Sequence, residues 1–272
     1  MATPFLKWAG GKSQLLAQYA PYFPDTYHTY FEPFVGGGAV FFDRVPERAV
    51  LSDINPELVN VYATLRNDVA TVIALLQQHA ARHDPAHYYA TRALVPASLS
   101  PTERAARFIY LNKTCFNGLY RENARGAFNV PIGRYTNPSI CDPVNLRAVS
   151  LALQRAEIVQ APFTHVLDRT QPGDLVYFDP PYYPVSATSS FTSYSRMPFG
   201  SAEQRQLRDV FALLAERGVQ ALLSNSDCPF TRDLYQEFHI VTIEAKRMIN
   251  ARAERRGKIT EILVLNWLPA MR

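Results

Sequence analysis

Apolar residues along this chain gather in short runs that stop abruptly at small, acidic or proline residues. TYFEPFVGGGAVFF (29–42), AVLSDIN (49–55), DLVYFDPPY (174–182) and VQALLSNSD (219–227) each read as a strand that ends in a turn. Near-continuous apolar runs of this length, bounded by turn-formers, mark strands buried on both faces. Helical stretches separate them, which predicts a doubly wound, mainly parallel α/β sheet with ligands at the carboxyl ends of the strands. The unusual polar groups all fall at those ends. Between residues 56 and 142 this rhythm stops. SPTERAARFIYLNKTCF (100–116) reads as a helix capped by Ser100 or Thr102, and NGLYRENARGAFNVPIGRY (117–135) as a β-hairpin or exposed loop. From residue 143 the strand and helix alternation returns. The pattern therefore predicts one body from 1–55 and 143–272, with an inserted helical subdomain over 56–142 that bears a hairpin.

Composition narrows the class. At 272 residues and 47% hydrophobic, the chain can bury the core of one large domain or of a domain with an insert. No run of about 18 apolar residues occurs, and MATPFLKWAGGK lacks the apolar stretch of a leader. A soluble, cytoplasmic protein is expected. Cys115, Cys141 and Cys228 are far apart with no CxxC, so they suggest idle thiols. His79, His83 and His87 share a helical spacing, but Pro85 interrupts it and no carboxylate pair accompanies them, so no metal is expected. The net charge of +4 is uneven: residues 246–258 hold six Lys or Arg against one Glu, and the rest of the chain is slightly acidic. Such a patch fits a polyanion, or a solvated loop between strands.

The strand ends carry the candidate chemistry. Gly36 and Gly38 let a backbone approach a ligand at a helix N-terminus, or serve a purely structural turn. Phe41 stands where GxGxxG needs its third glycine, which disfavours a nicotinamide dinucleotide. Asp53, about twenty residues on, is placed to accept from both hydroxyls of a ribose, or to cap the helix near Pro56. GGKS resembles the end of a phosphate loop, but Leu6 occupies the position of the required glycine. Lys12 instead suits the carboxylate of an amino-acid-like cofactor. Asp179 precedes Pro180, which disfavours helical angles for it, and the two prolines offer carbonyls without competing donors. A carboxylate and a carbonyl together can accept both hydrogens of a planar amine, with Tyr182 as a stacking face. That arrangement frees the lone pair of an exocyclic nucleobase amine to attack an electrophilic methyl. A rigid turn is the plainer alternative for Asp-Pro-Pro-Tyr.

FLKWAGGK, FEPFVGGG, LSDIN, the 117–135 segment, DPPYYPVSATSSFT and ITEILVLNW, in this order, resemble the Dam-type DNA adenine N6-methyltransferases that use S-adenosylmethionine. The resemblance spans nearly the whole chain. It implies a Rossmann-like seven-stranded methyltransferase sheet with the DNA-recognition insert before the DPPY strand. It also implies that Trp8 and Lys12 contact the methionine end of the cofactor with the Glu32–Gly38 turn, including Phe34. Asp53 would hold the ribose, Ile54 and Phe163 flank the adenine, and Asp179 lie between cofactor and target amine.

An adenine inside a duplex cannot reach a recessed carboxylate, so base flipping is implied. By the same resemblance, Phe116 and Asn117 occupy the space around the disrupted pair. Arg121 contacts a guanine, and Leu119 and Pro131 meet thymine methyls or exclude other bases. Asn123, Asn129, Arg134 and Tyr135, with Lys7, hold phosphates. Leu119, Arg121 and Pro131 point to GATC; Tyr120 and Thr136 depart from the pattern. Residues 186–200 are expected to order over the flipped base or to form a passive loop. The competing readings are methylation of RNA adenine or of DNA cytosine N4, and a catalytically idle DNA-binding protein. A monomer or weak dimer acting on double-stranded DNA is expected, in restriction protection, replication marking or phage modification.

Overall fold

The computed structural model describes residues 1–123, 126–184, 199–245 and 259–269. The basic stretch 246–258, and all of the 186–200 segment except its last two residues, lie outside the described residues. In chain order the elements are α1 (Leu16–Tyr19), β1 (Tyr30–Glu32), α2 (Ala39–Arg44), β2 (Ala49–Asp53), α3 (Pro56–Ala81), α4 (Pro85–Ala93), α5 (Pro101–Thr114) and α6 (Pro143–Leu153). There follow β3 (Ala156–Gln160), α7 (Val166–Arg169), β4 (Leu175–Phe178), α8 (Ser201–Glu216), β5 (Gln220–Ser226), α9 (Pro229–Leu234), β6 (His239–Ala245) and β7 (Ile259–Leu265). The seven strands run in the order β3-β2-β1-β4-β5-β7-β6, a mixed α/β sheet. Among the described residues no helix is long and apolar enough to cross a membrane.

Residue contacts divide the chain into two compact units. The first holds Met1–Gly11 and Val35–Gln160; the second holds Lys12–Phe34 and the described residues from Ala161 onward. The segment 35–55 thus groups with 56–142 rather than with the later strands.

In the first unit β2 pairs with β3 in parallel, from Ala49↔Ala156 to Asp53↔Gln160. Asn55 caps α3 by accepting from the N–H groups of Glu57 and Leu58, so the capping alternative for Asp53 belongs to its neighbour. Helix α3 bends at Asp68, whose φ of −148° is not helical, and whose carboxylate accepts from Thr71 N–H. Of the two candidate caps for α5, Ser100 does the work, in a capping box with Glu103. The buried Arg107 donates to the carbonyls of Thr91 and Arg92 at 2.9 and 2.8 Å, satisfying the C-terminal end of α4. The three histidines use their nitrogens locally: His79 meets His87 at 2.9 Å and His83 meets the Tyr110 hydroxyl at 2.9 Å. Burial depresses His79 to about 4, so its ring is neutral at ordinary pH. After α5, antiparallel bridges Cys115↔Ile132 and Glu122↔Phe128 form a narrow hairpin-like ribbon.

In the second unit β4 pairs in parallel with β1 and β5, and β7 then runs antiparallel to both β5 and β6. Leu175, Val176, Tyr177 and Phe178 are fully buried, which for each aliphatic or Phe side chain contributes ~1.5–3 kcal/mol. The buried Asp174 fixes the start of β4, accepting from Thr29 N–H at 3.0 Å and Gln171 N–H at 2.8 Å. This strand delivers Asp179 to its open end.

Candidate active site

The second unit brings Lys12, Asp179 and Tyr182 together. Because Phe178 stands opposite Leu223 in the parallel register, the next residues, Asp179 and Ser224, are neighbours. Ser224 Oγ donates to Asp179 Oδ1 at 2.9 Å, and Lys12 Nζ lies 2.8 Å from the same oxygen. Lys12 is nearly fully buried and its ammonium also sits 4.6 Å from the centre of the Tyr182 ring. The Tyr182 hydroxyl donates to Glu261 Oε2 at 2.5 Å. Burial pushes the Glu261 carboxyl up, and the nearby Lys12 charge opposes that. Burial likewise raises the Tyr182 phenol well above its usual value, so it stays a neutral donor.

The backbone beyond Asp179 is held at two further points. Gln204 Nε2 donates to the Pro181 carbonyl at 2.9 Å, and Asn225 Nδ2 donates to Gln204 Oε1 at 2.9 Å. Tyr183 stacks on Phe230 with centroids 4.0 Å apart. Its N–H donates to Asn225 and its carbonyl accepts from Ser226. Pro180 is buried. The unit also holds Glu32, Phe34 and Phe163 of the expected cofactor residues. Glu32 is buried and accepts from the Tyr30 hydroxyl at 2.7 Å. Phe34 stacks on Phe163 at 5.5 Å, and Phe199 closes edge-on against both.

The first unit gathers Trp8, the glycine turn and Asp53. Gly36 and Gly38 have φ of +47° and +66°; a Cβ on Gly36 would lie 2.7 Å from the Trp8 ring, and one on Gly38 2.7 Å from the Tyr62 hydroxyl. Neither position admits another residue without strain. Tyr62 also donates to the Gly36 carbonyl at 3.0 Å, fixing the turn. Asp53 accepts from Asn55 N–H at 2.9 Å, and the N–H groups of Gly36 and Ile54 also bind it. Burial outweighs these donors and lifts its carboxyl to about 6. The Ile54 side chain is exposed.

The same unit groups the expected DNA contacts on the ribbon that follows α5. Phe116 is exposed and Asn117 adopts a left-handed φ of 55°. Phe116 N–H donates to the Pro131 carbonyl at 2.9 Å, drawing the two together. Lys7 packs over Gly118, donates to the Lys113 carbonyl at 3.2 Å and lies 3.7 Å from the centre of the Tyr135 ring. Arg121 is exposed, with Nε donating to Asn129 Oδ1 at 2.7 Å. Asn123 closes the turn, its side chain accepting from Ala127 N–H at 3.1 Å. Leu119 is half-buried, while Pro131 and Arg134 are exposed.

Sequence reasoning missed Ser224, Glu261, Gln204 and Phe199. A lone acid inside the apolar run ITEILVL was the available signal for Glu261; Ser224 needed the strand register.

The profile of the D12 class N6 adenine-specific DNA methyltransferases matches residues 8–249. The chain is 43% identical to the type II methyltransferase M1.LlaDCHI of Lactococcus lactis subsp. cremoris, covering 97% of this chain and 95% of that protein. It is 40% identical to the type II methyltransferase M.MjaIII of Methanocaldococcus jannaschii, covering 97% and 99%. It is 35% identical to the DNA adenine methylase of Escherichia coli K12, covering 96% and 94%. A full-length match at these identities decides against the RNA and cytosine readings, and the chain belongs to the D12 class of N6 adenine-specific DNA methyltransferases.

Proposed function

We propose that this enzyme methylates N6 of an adenine flipped out of duplex DNA, within GATC, with S-adenosylmethionine as donor. The observation that carries the reading is Asp179 at the end of β4, with Lys12 and Ser224 both bound to Oδ1. The second carboxylate oxygen faces the task of accepting an amine hydrogen, and the Pro180 carbonyl supplies a second acceptor. Two acceptors on the amine hydrogens raise electron density at the nitrogen and favour its pyramidal form, which localises the lone pair. Tyr182 provides the ring against which the base stacks, its hydroxyl anchored by Glu261.

The residues present fit the donor. The tight turn at Gly36 and Gly38 packs against Trp8 and Tyr62, and the half-buried Asp53, which accepts from the Gly36 N–H, is an acceptor suited to paired ribose hydroxyls. Trp8, Lys12, Glu32 and Phe34 would hold its methionine end, and Ile54 and Phe163 its adenine. When bound, it supplies a sulfonium-activated methyl group. No covalent enzyme intermediate is required of this chain.

Segment 56–142 would read the DNA, and the catalytic body would comprise 1–55 and 143–272. Arg121 reads guanine, with Leu119 and Pro131 as apolar neighbours; Phe116 and Asn117 fill the space around the disrupted pair. Lys7, Asn123, Asn129, Arg134 and Tyr135 hold phosphates. The test is incubation with methyl-labelled donor and duplexes that differ only in GATC, followed by identification of the labelled base. Label on adenine N6 of GATC is expected. Equal labelling of the duplex without GATC overturns the target, and label elsewhere than N6 overturns the chemistry.

A further inference from the structure

One aromatic side chain, Tyr120, touches residues of both proposed ligand sites. Tyr120 is 7% exposed. Its ring stacks on Phe108, with centroids 5.0 Å apart and planes at 28°, and on Trp8 at 6.1 Å and 26°. Trp8 is the residue whose indole lies against Gly36. The Tyr120 hydroxyl donates to Glu122, and the Asn55 side chain also hydrogen-bonds it. Asn55 in turn donates its N–H to Asp53 and caps α3. The residue after Tyr120 is Arg121, whose carbonyl accepts from Asn129 N–H at 3.0 Å and whose Nε donates to Asn129 Oδ1. The ring therefore meets the glycine turn through Trp8, the ribose acid through Asn55, and the guanine reader through the backbone.

Resting on the proposed function, we infer that Tyr120 makes cofactor binding and DNA recognition cooperative. A ligand that immobilises Trp8 and Asp53 also immobilises Tyr120, and so removes in advance part of the freedom that Arg121 must lose to engage a base. The effect is reciprocal: duplex tightens the cofactor by the same factor that cofactor tightens the duplex. Tyr120 acts here as a positioning residue and contacts neither ligand.

The experiment measures dissociation constants of S-adenosylhomocysteine with and without a saturating GATC duplex, and of the duplex with and without S-adenosylhomocysteine. In the unaltered protein each ratio is expected to be about fivefold or more. In Tyr120→Leu both ratios are expected to fall to within about twofold of one, while each ligand alone binds within about threefold of the unaltered protein. Tyr120→Phe, which keeps the stack and loses the hydroxyl, is expected to lie between them, and it carries the test if the leucine variant does not fold. Ratios unchanged in the variant that folds overturn the inference. So does a loss of S-adenosylhomocysteine affinity that is the same with and without duplex, which would make Tyr120 a plain pocket residue. If the unaltered protein binds both ligands and methylates GATC with ratios of one, only the coupling fails. If it does not methylate GATC, the proposed function itself fails.

Discussion

The surroundings of Asp179 and the ribbon after α5 are built by opposite means. Around Asp179 the partners come from distant points of the sequence: Ser224 and Glu261 are placed by strand register, and Lys12 reaches them from the segment before α1. Along the ribbon the partners are close neighbours, Arg121 with Asn129 and Asn123 with Ala127, and the side chains are largely exposed. The first arrangement suits a reacting group, whose acceptors must be fixed before the transition state forms. The second suits recognition, where donors must stay reachable and only their direction need be held. On the proposed reading, a change of target sequence falls on the ribbon alone, whereas a change at Asp179 also reaches Lys12 and Ser224 of β5.

The sharpest way to break this contrast is Asp179→Ala. Loss of the acceptor is expected to cut single-turnover methyl transfer by ~10²–10³-fold or more. It also takes from the buried Lys12 the carboxylate 2.8 Å away, with Glu261 still nearby, for an expected loss of about 1–3 kcal/mol in denaturant unfolding. Near-normal transfer would refute the assigned role. Arg121→Ala is expected to act only on the other side of the contrast, lowering discrimination at one guanine by ~1–3 kcal/mol. Cofactor affinity should not change; if it collapsed, reading and catalysis would not be separable as proposed.

The same contrast explains what was legible in the sequence. Asp179, Asp53 and the glycines stand at the ends of apolar runs, so pattern alone located them. Ser224 and Glu261 did not show, because their importance comes from the pairing of β4 with β5 and of β5 with β7, and pairing is a long-range property. The cap of α5 was legible as Ser100 or Thr102, since both fit the spacing, and the reciprocal bond with Glu103 chooses Ser100. Asp53 shows the limit from the other direction. Its two readings, ribose acceptor and helix cap, differ by two residues of backbone, and Asn55 takes the cap.

Asp53 offers a third, pH-dependent test. Its folded value of about 6 lies above the ordinary carboxyl value of about 3.9. The folded chain then holds this proton more tightly than the unfolded chain, so its contribution to stability declines as pH rises from about 4 to 6. Ribose binding runs the other way, because the ionised form is the better acceptor. S-adenosylhomocysteine affinity is expected to weaken below pH ~6, approaching tenfold per further unit if only the carboxylate binds. Asp53→Asn should flatten both profiles. A wild-type affinity that is constant from about pH 7 to 5 would show that Asp53 does not hold the ribose.

The smallest expected effect is the most discriminating for the ribbon. Asn129 was expected from the sequence to hold a phosphate, yet its side-chain oxygen accepts from Arg121 Nε, and its N–H donates to the Arg121 carbonyl. The side-chain bond ties the Nε of the guanidinium to Asn129, and the backbone bond holds the two residues in register. In Asn129→Ala the backbone bond remains and the side-chain bond is lost, a change worth ~0.5–1.5 kcal/mol. If Asn129 positions Arg121, discrimination at that one guanine should fall about two- to tenfold, and Asn129→Ala should cost nothing further at that position once Arg121→Ala is in place. If Asn129 instead grips a phosphate, affinity should fall evenly for every sequence, and the two substitutions should be additive. Measuring both variants and the double variant against GATC and a single-guanine mismatch separates the two roles, because a positioning residue loses its effect once the arginine it positions is gone.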